Sequence, residues 1–128
     1  MTPAIRVLLV EDNRIEARQT QRWLGIDNDG AFEIDAVDQL QLGVELLARV
    51  DFDIVLLDLN LPDVDGLTVL TRIRDVDRGC RVVILTAYGT PDMVAEATKR
   101  GADLVLNKPF DVDDITRVVR RTLNLPAA

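Results

Sequence analysis

The chain of 128 residues contains no histidine and only one cysteine. Without histidine there can be no imidazole metal site and no nucleophile–base pair of the Ser-His or Cys-His kind. The lone cysteine, Cys80, rules out an internal disulfide, and its place at the head of an apolar run marks it as a small buried hydrophobe. A cytoplasmic setting is the expectation that follows from this cysteine usage. Apolar runs such as VLLV and VVIL are far too short to span a bilayer, so no membrane partner is expected. The opening MTPAIRVLLVEDN passes straight into strand-like sequence and shows no cleavable signal. Basic runs are missing too, and the formal net charge is −7, which speaks against a nucleic-acid surface on this chain. No internal repeat or low-complexity tract is visible. Hydrophobic residues make up 48% of the chain, enough to fill one core in a chain of single-domain length. The expectation is one domain over residues 1–128, with 124–128 a tail or the start of a linker.

Short β-rich runs alternate with segments of helical period. The strand candidates are Ile5–Val10, Phe32–Val37, Asp53–Leu57, Arg81–Leu85 and Leu104–Leu106. Helices are predicted near Arg14–Leu24, Gln39–Arg49, Leu67–Arg74, Asp92–Arg100 and Val112–Leu123. Start signals agree with this division. Asn13 with Glu16, and Asp38 with Gln41, have capping-box spacing. Thr90-Pro91 places a cap residue before a proline at the first helical position. Asp111 can cap the last helix, with Asp113 and Asp114 facing its positive end, and Gly101 follows Lys99 and Arg100 as a helix stop. Five β–α units in strict alternation predict an α/β fold, a doubly wound five-stranded parallel sheet with helices on both faces. Val7–Val10, Ile54–Leu57 and Val82–Leu85 are apolar at consecutive positions, as strands covered on both faces are. Phe32–Val37 alternates and reads as an edge strand, which suits the flavodoxin-like order 2-1-3-4-5.

That order gives the charged residues their meaning. Glu11 and Asp12 follow VLLV, Asp58 follows IVLL, and Lys108 follows LVLN. Residues just past parallel strands converge at one edge, where open α/β sheets keep their ligand sites. Carboxylates that close repel, so positive charge belongs among them. A hard dication with oxygen ligands is the natural candidate, and Mg²⁺ prefers a few carboxylates plus waters and a phosphate. Any one of these acids alone would read as a solvated strand-end cap; it is the set that points to phosphoryl chemistry. Asp58, ending the central strand, can act as a nucleophile that forms an acyl phosphate. Lys108 can neutralise the incoming group as a point charge. Thr86 ends VVILT, and its hydroxyl can bond a further phosphoryl oxygen, or simply local backbone. Lys108-Pro109 on its own reads as trans, the commoner state of an X–Pro bond.

Together these residues resemble the receiver domain of two-component response regulators. The likeness is carried by VLLVEDN, IVLLDLNLPDVDG, ILTAYG and NKPF, and it covers Ile5 to about Leu123. It implies a (βα)5 fold of strand order 2-1-3-4-5. It implies that Asp58 is the phosphoacceptor, modified by transfer from a phosphohistidine on a sensor histidine kinase or a histidine phosphotransfer protein. Glu11 and Asp12 resemble the acidic pair that holds Mg²⁺, with Asp58 and the Asn60 carbonyl as further ligands. Thr86 and Lys108 resemble the switch hydroxyl and the phosphate-binding lysine, and the Lys108-Pro109 bond is implied to be cis. Family members often carry Tyr or Phe three residues before the lysine; here that position is Val105, which has no ring to swing. Tyr88, two residues after Thr86, either lies over the site and slows water attack or is an exposed loop ring. Phosphorylation would move a face formed by the fourth strand, fourth helix and fifth strand, with Thr86, Tyr88, Met93, Glu96 and Val105 as its contacts. The output would be a homodimer, an attached effector domain or a separate protein.

Three other readings compete. A flavodoxin-type binder needs a phosphate-cradling loop after the first strand, where this chain has Glu11-Asp12-Asn13-Arg14. An aspartyl-phosphate phosphatase pairs its nucleophile with an acid/base two residues on, and Asn60 cannot exchange protons there. A receiver-like scaffold acting without phosphorylation is the remaining alternative to a phosphoacceptor that turns over no substrate but its own phosphoryl group.

Overall fold

The computed structural model describes residues 4–26, 30–59, 67–77 and 79–126. The elements in order are β1 (Ile5–Val10), α1 (Arg14–Ile26), β2 (Phe32–Val37), α2 (Leu40–Leu47), β3 (Ile54–Asp58), α3 (Thr68–Val76), β4 (Arg81–Thr86), α4 (Pro91–Lys99), β5 (Leu104–Asn107) and α5 (Val112–Thr122). The five strands form one parallel sheet in the order β2-β1-β3-β4-β5. This is the flavodoxin-like doubly wound architecture that the alternation predicts.

The strands divide their side chains between two cores with a period of two, as the pleat requires. Leu8, Val10, Val55, Leu57, Val82 and Ile84 face one side, where Leu40 and Leu47 of α2, Val69, Leu70 and Ile73 of α3, and Ala97 of α4 cover them. Val7, Leu9, Ile54, Leu56, Val83 and Leu85 face the other, under Ala17 and Leu24 of α1 and Ile115, Val118 and Val119 of α5. The spacing 115, 118, 119 is the i, i+3, i+4 stripe of a helix laid on a sheet. Burying one such aliphatic side chain contributes roughly 1.5–3 kcal/mol. β2 has one neighbour and alternates in burial from Phe32 to Asp35; its exposed Glu33 and Asp35 lie 3.9 and 3.1 Å from the Arg6 guanidinium. No helix among the described residues is long and apolar enough to cross a membrane.

The caps explain where several helices start. Asp111 Oδ1 accepts from Asp114 N–H at 2.9 Å while Asp114 Oδ2 accepts from Asp111 N–H at 3.1 Å, a reciprocal capping box. Thr90 Oγ1 accepts from Met93 N–H at 3.2 Å, with Pro91 at the first helical position. Gly101 takes a positive φ of 110° just past α4. Asn13 forms half of its predicted box: its Oδ1 accepts from the Ile15 and Glu16 amides, but the Glu16 carboxylate turns to Lys108 instead. The Asp38–Gln41 box does not form. Gln39 is the N-cap, and the Gln41 carboxamide is taken by Glu45 and by Arg72, the latter at 2.6 Å. α2 also ends two residues early, because Arg49 N–H bonds back to Leu46 O at 3.0 Å and tightens the last turn.

Candidate phosphoacceptor site

The site grows from the carboxyl ends of β1, β3, β4 and β5. Pairing of Val10 with Leu57, Asp58 with Leu85 and Thr86 with Asn107 brings these ends level. Backbone bonds carry the alignment past the strands: Glu11 N–H donates to Val37 O at 3.0 Å and Lys108 N–H to Thr86 O at 2.7 Å. Lys108-Pro109 is cis, as the resemblance implies.

Glu11, Asp58 and Thr86 are buried, at 4%, 2% and 2% exposure, while Asp12 stands at the surface. Lys108 threads in between: its Nζ lies 3.0 Å from Glu11 Oε2 and 3.6 Å from Asp58 Oδ2. A third carboxylate, Glu16 on α1, reaches the same nitrogen at 3.4 Å. One ammonium therefore faces three acids. Burial, then the Asp58 carboxyl, pushes Glu11 up to about 7, with Lys108 opposing. For Lys108, burial works to lower the pKa, but the bond to Glu11 and the charges of Glu11, Asp58 and Glu16 outweigh it and raise it.

A carboxyl oxygen from each of Glu11, Asp12 and Asp58 lies within 4.8 Å of the others. Hard oxygen ligands, two of them buried and one open to water, suit a hard dication that keeps part of its hydration shell. The uphill state of Glu11 is consistent with that: a buried acid short of positive charge gains from a cation. Asn60, whose carbonyl the resemblance adds to this set, lies outside the described residues, as do Pro62 and Gly66 of the same loop.

Thr86 Oγ1 accepts from Tyr88 N–H at 3.1 Å, the local backbone bond expected of a strand-end hydroxyl, and among the described residues its own proton has no acceptor. The Tyr88 ring is 76% exposed, matching the exposed-loop alternative. Met93 and Val105 are half-buried against the core under α2, α3 and α4, and Glu96 pairs with Arg100 at 2.9 Å. Two participants were not singled out from the sequence. Glu16 had read only as a capping partner. Asn107, next to the lysine, accepts the Gly89 amide at 3.1 Å.

This fold and this cluster of acids around a lysine define a class, and comparison agrees: the chain belongs to the response regulator receiver domain family, whose match covers residues 7–120. It is 36% identical over 99 residues to sporulation initiation phosphotransferase F of Bacillus subtilis, a match covering 77% of this chain and 79% of that protein. It is also 31% identical to the transcriptional regulatory protein CusR of Escherichia coli K12, over 97% of this chain and 53% of that protein. A third relative, the regulatory protein AtoC of the same strain, is 30% identical over 98% of this chain and 26% of its own length. The chain thus spans about a quarter to a half of the latter two. Among solved structures, a response regulator from Thermotoga maritima matches at 25% identity with a TM-score of 0.83, over 95% of this chain and 99% of that one. A CheY-like receiver domain protein from Methanospirillum hungatei shares the fold, with a TM-score of 0.86 at 21% identity over 95% of both chains.

Proposed function

We propose that residues 1–128 act as a single receiver domain that takes a phosphoryl group on Asp58 in a Mg²⁺-dependent reaction and switches an output face in response. The observation that carries this reading is the placement of Asp58: 2% exposed, 3.6 Å from the Lys108 ammonium and with a carboxyl oxygen within 4.8 Å of one from each of Glu11 and Asp12. An Asp58 carboxylate oxygen attacks the phosphorus of a phosphohistidine on a sensor kinase or phosphotransfer protein. The P–O bond forms as the P–N bond breaks, and the donor imidazole leaves with the bonding pair. Glu11, Asp12 and Asp58 would hold Mg²⁺, with the Asn60 carbonyl as the resemblance implies, and the ion would offset negative charge on the phosphoryl oxygens. Lys108 neutralises a second phosphoryl oxygen, and the free proton of Thr86 is donated to a third. The chain turns over no substrate beyond its own phosphoryl group. Thr86, Tyr88, Met93, Glu96 and Val105 form the face that delivers the signal in the cytoplasm to a second copy, an attached effector domain or a separate output protein.

The test is intact mass after incubation with acetyl phosphate, with and without Mg²⁺, for the wild type and Asp58→Asn. A single adduct that needs Mg²⁺ and is missing from the variant is the expected result. No adduct in the wild type under either condition would make this chain a receiver-shaped scaffold that works without phosphorylation.

A further inference from the structure

The loop between β4 and α4 is held at two consecutive amides by side chains from two adjacent strand ends. Tyr88 N–H donates to Thr86 Oγ1 and Gly89 N–H donates to Asn107 Oδ1, each at 3.1 Å. Thr86 and Asn107 are partners across β4 and β5, and the next residue, Lys108, donates its N–H to Thr86 O at 2.7 Å. Beyond Gly89 the chain enters α4 at once. Thr90 N–H donates to Tyr88 O at 3.0 Å, and Thr90 Oγ1 caps the helix through Met93 N–H. Hydrogen bonds and short stretches of backbone thus connect Lys108, by way of Asn107 and Gly89, to the first turn of α4.

Gly89 is fitted to Asn107. A Cβ on Gly89 would lie 2.2 Å from Asn107 Oδ1 and 3.1 Å from its Cγ, and the three nearest atoms all belong to the Asn107 side chain. The backbone at Gly89 does not itself call for glycine, since the positive-φ glycines among the described residues are Gly30 and Gly101. The close approach of the carboxamide is what excludes a side chain there. Val105, two residues earlier on β5, is half-buried and has no polar side-chain atom, so among these two positions only Asn107 can hold the loop by a hydrogen bond.

We propose that Asn107 is a positioning residue: by holding the Gly89 amide it fixes the β4–α4 loop, and with it the placement of the Thr86 hydroxyl, whose Oγ1 accepts the neighbouring Tyr88 amide. This rests on the phosphoacceptor reading above. When Thr86 turns its proton to a phosphoryl oxygen, Oγ1 is drawn away from the Tyr88 amide. Gly89 stays held by Asn107, so the loop pivots about that point and passes the movement to the start of α4. Without Asn107 the loop loses its second hold and Thr86 is no longer aimed.

The experiment uses the whole chain and the variants Asn107→Ala, Gly89→Ala and the double variant. Two quantities are read: hydrogen exchange of the Tyr88 and Gly89 amides by NMR, and the rate of adduct formation from acetyl phosphate with Mg²⁺. Asn107→Ala is expected to expose the Gly89 amide to exchange and to slow adduct formation about threefold to tenfold, the worth of one neutral hydrogen bond. Gly89→Ala alone should do the same, because its Cβ drives the carboxamide away. The double variant should be no slower than Asn107→Ala, since the collision has gone. Unchanged protection of Gly89, an Asn107→Ala rate equal to wild type, or defects that multiply in the double variant would each overturn the proposal. If the wild type takes up no phosphoryl group, the phosphoacceptor reading falls and Asn107 has no reaction to position. The amide exchange then still decides whether the loop hold exists.

Discussion

Lys108 and Glu11 stand 97 positions apart in sequence, yet the Lys108 ammonium lies 3.0 Å from Glu11 Oε2. The contact joins the ends of the first and last strands across the sheet's ligand edge. It also sets the sign of the effects expected from substitution, because the ammonium is shared by Glu11, Asp58 and Glu16.

Lys108→Ala is expected to destabilise the protein by about 1–3 kcal/mol, less than the loss of a fully buried partner, because Glu11 can take up a proton instead. The same change should slow adduct formation from acetyl phosphate at least ~100-fold, as removal of a charge aimed at the transferring oxygens does. Urea unfolding and mass spectrometry measure the two effects separately.

Asp58→Asn should act on stability in the opposite direction. In EDTA it relieves repulsion with Glu11 and is expected to raise stability by about 1 kcal/mol or more, one pKa unit of relief being worth roughly 1.4 kcal/mol. The wild type should gain stability as Mg²⁺ is added, by about 2.7 kcal/mol at a hundredfold excess over the dissociation constant, and the variant much less. Melting curves across a Mg²⁺ titration would show the two proteins converging. Equal Mg²⁺ stabilisation of both would remove Asp58 from the ligand set.

Cys80 supplies a pH test away from the site. Its thiol is buried and 3.9 Å from an Arg74 nitrogen, and burial, followed by the charge of Asp77, pushes its pKa up to about 11. Native protein at pH 8 should therefore react with iodoacetamide far more slowly than unfolded protein. The folded pKa lies above the model-compound value of 9.0. The thiol's contribution to stability is thus complete below about pH 9 and is lost as pH rises through about 11. Fast alkylation of the native chain at pH 8 would contradict this environment.

Asp111→Ala removes the side-chain half of the capping box on α5, the bond that Asp111 Oδ1 accepts from Asp114 N–H, while the backbone N–H at 111 can still donate to Asp114. α5 is the helix whose Ile115 and Val119 share a core with Leu85 and Leu9. A loss of about 0.5–2 kcal/mol in urea unfolding is expected, with adduct formation unchanged.

Tyr88→Ala should leave stability within about 0.5 kcal/mol, since the ring is 76% exposed. The lifetime of the phosphoaspartate should also be unchanged. A shortened lifetime would restore the reading in which the ring covers the site.

Much of this was legible because it follows from strand ends. IVLLD is an apolar run stopped by an acid, and in a parallel sheet that acid has one place to go; the same holds for Glu11 and Lys108. The two-core division was legible as well, since Val82–Leu85 is apolar at every position. What could not be read was the direction of polar side chains on helices and loops. Glu16 has capping spacing, but its carboxylate answers Lys108, a residue 92 positions away. Asp38 and Gln41 also have the spacing, yet Gln41 is drawn off by Glu45 and by Arg72 of another helix. Local pattern fixes which groups are available, and tertiary partners decide among them. Asn107 was hidden for a related reason: its partner is a loop amide, and no side-chain pattern marks an amide.

Because Lys108 follows the fifth strand, the ribosome delivers the Asp58 carboxylate before its ammonium by roughly 3–10 seconds at ordinary rates of synthesis, and those of Glu11 and Asp12 earlier still. Through that interval the first three strands can pair, but the acids at their ends repel without their lysine. The addition of β5 supplies the fifth strand of the sheet and brings that edge the Lys108 ammonium in the same event. Until β5 is in place, that edge of the sheet therefore holds the three carboxylates without the lysine that lies among them in the folded domain.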